Sequence, residues 1–235
     1  MMPRPLRSRR SMTHPAKHPA SSWMRMAGAV ALLLLSAVSA CAETLDRIAV
    51  TVDRHVITES DVLLDLRVSA FLDGKAPDVS GAAKRKAAER LVDLYLVLQD
   101  ATVTRAPQPS AAEVDALLEP VRARYSSDAE YLSALANAGL SESELREHLF
   151  AGLRMMRYTD LRFRPEVPIT ELDLHEALAE LTAKQPASVP GPDFEANRPQ
   201  LEEFVMNRRV LEALDRWLVM ARAELQILYR DAAFQ

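Results

Sequence analysis

From Leu201 the apolar residues Phe204, Val205, Leu211, Leu214, Trp217, Leu218 and Ala221 recur every three or four positions. That spacing places them on one stripe of a long amphipathic helix. About twenty-three residues at ~1.5 Å each give roughly 35 Å, the width of a small domain. Directly after it, Leu225, Ile227 and Tyr229 alternate with Gln226, Leu228 and Arg230, the period of a short strand. A single strand is unstable in water and needs a sheet edge to pair with. The candidate edge is Ile48–Val52, where Ile48, Val50 and Val52 alternate with Ala49 and Thr51. Pairing these two would clasp everything between them.

What lies between reads as helix. Gly is rare (6 residues), aromatics make up 6 % of the chain, and Ala, Leu and Glu are abundant. A tight turn at Asp53-Arg54 leads to Val56-Ile57, and Thr58-Glu59-Ser60-Asp61 caps a helix that stops near Asp73-Gly74. Residues 84–104 form the next helix, with Leu91, Leu94, Tyr95, Leu98 and Val103 as its apolar face and Lys84-Arg85-Lys86 as a solvated start. Ser110 with Glu113 forms a capping box, and Pro120 inside the following helix should kink or split it. Ser127 caps a short helix ending at Gly139. Ser141 caps a long one reaching about Phe163, which should bury Leu145, Leu149, Leu153, Met156 and Leu161. Pro165 and Pro168 break that helix, and Thr170 starts another. The expected fold is mostly α, a multi-helix core with a small antiparallel sheet made by the N- and C-terminal strands.

Residues 1–40 read as a signal peptide. They hold six of the 29 basic residues and none of the 33 acidic ones, and 27–40 is an uncharged run with four consecutive leucines. The run is shorter than the roughly 20 residues of a membrane span. The stretch before it is long, so Met24 or Met26 is an alternative start. The expectation is export, to the periplasm or to a membrane facing it. The only cysteine, Cys41, follows Val38-Ser39-Ala40, a segment that resembles the bacterial lipoprotein cleavage box. Lipidation of Cys41 and ordinary cleavage ahead of Glu43 both fit, and lipidation is the expectation. Without residues 1–40 the chain is ten charges negative, which argues against nucleic-acid partners.

Nothing in the sequence calls for a cofactor, a metal or a small-molecule substrate. His55, His148 and His175 are far apart and have no cysteine beside them. Six glycines leave no Gly-rich phosphate loop, and acid pairs such as Glu142 with Glu144, or Glu202 with Glu203, suit caps and solvated faces. In Met155-Met156-Arg157-Tyr158, adjacent methionines point in different directions on a helix. Methionines usually fill gaps in packing. The alternative makes Met155, Met156, Tyr158 and Phe163 candidates for an adaptable peptide-binding groove.

Two separated patches carry a family resemblance. Residues 45–62, with Val56-Ile57-Thr58-Glu59-Ser60-Asp61-Val62, look like the opening of the periplasmic chaperone SurA and its relatives. Met206-Asn207-Arg208-Arg209, with Trp217-Leu218 and the closing strand, is similar to that family's C-terminal helix and strand. The resemblance implies a chaperone domain over 41–182, completed by 194–235. Relatives insert parvulin-type prolyl isomerase domains between these patches, whereas here the interval 183–193 is a proline-rich linker. It therefore implies no catalytic residues and a non-catalytic envelope chaperone for unfolded clients such as outer-membrane protein precursors. The alternatives are a prolyl isomerase by family inheritance and a structural lipoprotein subunit of an envelope assembly.

Overall fold

The computed structural model describes residues 46–184 and 194–234. Residues 1–40, read above as a signal peptide, together with Cys41 and residues 185–193 of the linker, lie outside them. Described residues 46–184 and 194–234 fall within one compact unit. It contains strands β1 (Ile48–Val52), β2 (His55–Thr58) and β3 (Ile227–Tyr229). Its helices are α1 (Glu59–Asp73), α2 (Gly81–Val103), α3 (Ala111–Arg122), α4 (Asp128–Asn137), α5 (Glu142–Phe163), α6 (Glu171–Lys184) and α7 (Phe194–Ala223).

The first and last strands do pair. The sheet order is β2-β1-β3, with β1 antiparallel to both neighbours. Val50 stands opposite Tyr229, and Val52 opposite Ile227. Asp53 holds both joints. It takes a left-handed φ of 49° in the hairpin turn, a conformation aspartate tolerates better than most residues. Its N–H donates to the Gln226 carbonyl at 3.0 Å, and its carboxylate accepts from the Gln226 N–H at 2.8 Å. β1 departs from the simple alternation. A register shift between Ile48 and Val50 turns Ile48 outward, 42 % exposed, while Ala49 is buried with Val50 and Val52.

The caps fall where serine and threonine place them. Thr58 with Asp61, Ser110 with Glu113 and Ser141 with Glu144 each form a reciprocal capping box. Thr170 and Asp173 exchange the same bonds at the start of α6. Pro120 does not split its helix; α3 runs through it and ends two residues later at Arg122.

Three features differ from the sequence reading. Lys84 is not solvated: it is buried, with Nζ 2.9 Å from Glu59 Oε1, tying α2 to the start of α1. The linker's first two residues, Ala183 and Lys184, belong to α6. The long C-terminal helix starts at Phe194, ahead of Pro199, and its 30 residues span about 45 Å. Pro199 costs one hydrogen bond near that end. Burial of Asn197 and Leu201 against α6, and the stacking of Phe194 on His175 at 4.2 Å, hold the extra turns in place.

Apolar clusters organise the rest. The main one joins the sheet to α1, α2, α5 and α7 through Val50, Val92, Val97, Tyr158, Phe163 and Leu214. A second lies among α1, α3, α4 and α5 around Leu118, Tyr131 and Leu145. A third seats α6 on the first half of α7.

Candidate functional site

Helix α2 carries two apolar stripes, and the structure uses them differently. Its smaller residues, Ala87, Ala88, Val92, Val97 and Ala101, together with Leu96, are buried in the main core. Alanines at a helix contact let a neighbouring backbone come close, here chiefly α5 and α1. The larger residues expected to form the core face, Leu91, Leu94, Tyr95 and Leu98, are only half-buried, and Val103 is 76 % exposed. They form one wall of an open groove of about 620 Å³. Val56 and Ile57 of β2 and Leu64 of α1 extend the wall. His55 stacks flat on Tyr95, with ring centroids 4.0 Å apart and 2° between planes.

The groove does not end there. A second depression of about 440 Å³ shares Asp65, Leu91, Leu94 and His148 with the first. A third, of about 400 Å³ between α5 and α7, shares Gly152, Met155 and Leu214 with the second. Helix α5 runs beside all three. Glu144, Glu147, His148 and Arg154 line the first, His148, Gly152 and Met155 the second, and Gly152, Met155, Met156, Thr159 and Asp160 the third.

The charges along the groove are mostly negative, and the cations are mostly tied down. Arg154 donates to the Thr102 hydroxyl at 2.6 Å, and Arg90 pairs with the buried Asp65. Glu144 is held below the usual carboxylate range by the hydroxyl and backbone N–H of Ser141. Burial pushes Asp93 up, against the pull of Arg222. Burial lowers His148, with Arg90 adding to the effect and Asp65 opposing it. Glu147 is exposed at the rim.

The structure divides the four peptide-binding candidates. Tyr158 and Phe163 are core residues, 4 % and 6 % exposed, and the Tyr158 hydroxyl donates to Asp100. They line none of the three depressions. Met155 is half-buried and Met156 is 61 % exposed, and both line the third depression. Other helix-face expectations also change. Leu161 is 55 % exposed, and neither Leu153 nor Met156 enters the core. The α5 core stripe keeps the expected Leu145 and adds Tyr158, Thr159 and Phe163.

Sequence reasoning missed His55, His148, Gly152 and the Leu91–Tyr95 wall as groove residues. The available signals were the second apolar stripe on α2 and a glycine in the middle of α5. Among the described residues no group of three His, Cys, Asp or Glu side chains could hold a metal, and no helix is long and apolar enough to cross a membrane. No protein-family model matches the sequence, and no curated protein matches it significantly.

Proposed function

We propose that the protein is a SurA-like, non-catalytic chaperone of the cell envelope that holds extended, partly apolar segments of unfolded polypeptides, outer-membrane protein precursors among them. The observation that carries this is the open wall of Leu91, Leu94, Tyr95 and Leu98: large apolar side chains left half-exposed on a helix whose other stripe fills the core. An exposed apolar surface of this kind gains free energy by covering itself with another chain's side chains. Export would proceed through residues 1–40, with Cys41 as the lipid attachment point. The negative body would keep a loaded holder soluble.

Holding rather than isomerisation is supported by the connection between α6 and α7. Only nine residues separate Lys184 from Phe194, too few to enclose an inserted domain. Purified protein should suppress aggregation of a denatured outer-membrane protein as it is diluted from urea. No suppression at several-fold molar excess rejects the holding activity. A proline-limited refolding reaction should proceed at its uncatalysed rate, tens of seconds at 25 °C, and acceleration would favour the isomerase instead.

A further inference from the structure

Gly152 stands in the interior of α5, an exposed position where glycine weakens a helix relative to alanine. Its φ is not positive, and a Cβ built on it would meet no atom within 4 Å. Neither backbone conformation nor packing within the chain therefore requires glycine here. Its location gives the reason. Gly152 lines both the second and the third depression, at the point where one passes into the other. A side chain there would form a sill across the groove, and glycine keeps the passage level.

Resting on the holding activity proposed above, we infer that the three depressions form one continuous track for a single extended segment, whose main chain crosses α5 at Gly152. From Glu144 to Asp160 the helix rises roughly 24 Å. At ~3.3 Å per residue this accommodates about seven residues of extended chain. Alternate side chains of such a segment point the same way, so apolar residues at every second position face the Leu91–Leu94 wall and then Met155 and Leu214. The charges select the remaining chemistry. Asp61, Asp65, Glu144 and Glu147 line the first depression with Arg154 as its arginine, so acids outnumber cations at the hairpin end, with Glu147 exposed at the rim. The track therefore takes a segment with a lysine or arginine at the end that lies beside Glu147.

Fluorescence anisotropy on the full chain tests this with a labelled heptapeptide of alternating leucine and serine bearing one terminal lysine. The heptapeptide should bind about tenfold more tightly than its four-residue version, which fills little more than half of the track. Replacing the peptide's lysine by glutamate should weaken binding about threefold at low salt, and Glu147→Lys in the protein should invert that preference. Gly152→Trp should raise the Kd of the heptapeptide about tenfold or more while leaving that of the tetrapeptide unchanged, with a melting temperature no lower than the parent's. Equal affinity for the two lengths, unaltered binding by a folded Gly152→Trp, or a charge preference that ignores Glu147→Lys would overturn the track. Aggregation suppression by the parent protein, measured alongside, separates the two ideas. Suppression without length dependence leaves a holding surface that is not this track, and absence of both removes the holding reading as well.

Discussion

Two glycines in helices should respond to alanine with opposite signs, and the structure supplies both reasons. Gly81 is the first residue of α2. A Cβ placed on it would lie 2.1 Å from the backbone oxygen of Phe234 and 3.3 Å from its carbonyl carbon. That oxygen belongs to the 3-10 turn Asp231–Phe234, so the obstacle is main chain and cannot swing aside like a side-chain tip. Gly81→Ala must therefore lift the turn off α2. Lifting it exposes the buried Ala233 and the half-buried ring of Phe234, and pulls Arg85 from its place over the Tyr229 and Phe234 rings. Burying an aromatic side chain fully contributes about 1.5–3 kcal/mol, so losing half of that and one methyl costs about 2 kcal/mol. Helix propensity returns at most ~1 kcal/mol. The net loss of about 1 kcal/mol lowers the melting temperature by roughly 3 °C in a chain of this size. Gly152→Ala has the same propensity gain and no obstacle, and should raise the melting temperature by about the same amount. Thermal denaturation followed by circular dichroism measures both. A Gly81→Ala protein as stable as the parent would mean that the terminal turn does not rest on α2, and the reasoning would fail.

Further expectations concern the groove and the buried charges. Leu98→Asp should abolish most of the aggregation suppression while shifting chemical-denaturation stability by no more than about 1 kcal/mol, since Leu98 is half-buried on an open wall; a loss of stability without a loss of holding would place Leu98 in the core. Lys84→Ala should destabilise by about 2 kcal/mol in urea titrations, less than for a fully isolated buried pair because Arg47 also approaches Glu59, at 3.4 Å. His148 binds its proton less readily when folded, so below about pH 6.5 the unfolded chain takes up a proton that the folded chain resists. Its contribution to stability is present at neutral pH and is lost as pH falls through that range; His148→Gln should flatten the slope of stability against pH, and an unchanged slope would assign it to other groups. Glu113 is held down to about 2 by the backbone N–H of Ser110, with Arg157 and the Ser110 hydroxyl adding to it. Its contribution is lost as pH drops from about 4.5 toward 2, so Glu113→Gln should make acid unfolding begin at higher pH.

Local rules made much of this fold legible. Serine or threonine followed three residues later by an acid marked the starts of α1, α3 and α5, because those pairs satisfy backbone groups that no other local arrangement reaches. The β1–β3 pairing followed from two alternating segments that each lacked a partner. What failed were choices that only tertiary packing makes. Periodicity finds an apolar stripe on α2 but does not say which of two stripes faces inward. Hydrophobicity favours Leu91, Leu94 and Leu98, whereas close helix approach favours Ala87, Ala88 and Ala101. Lys84 looked like part of a solvated basic run because its partner, Glu59, lies 25 residues away in another helix. Met156 and Leu161 looked like core for the same reason that Tyr158 and Phe163 looked like groove: a small rotation of a helix exchanges the two. The groove was thus present in the sequence as residues, with Met155 and Met156 among its candidates and Leu91, Leu94 and Leu98 assigned to the core instead.

The place of β1 between its neighbours has a consequence for biogenesis. β2 follows it after a two-residue turn, so that pairing can close within microseconds of leaving a ribosome or translocon. β3 lies about 175 residues further along, and its contacts must wait until α1 to α7 have been delivered. Throughout that interval the other edge of β1 is an open template, available to any extended chain nearby. Under the holding function proposed above, a protein that captures extended chains would be, while being made, a chain that others of its kind could capture.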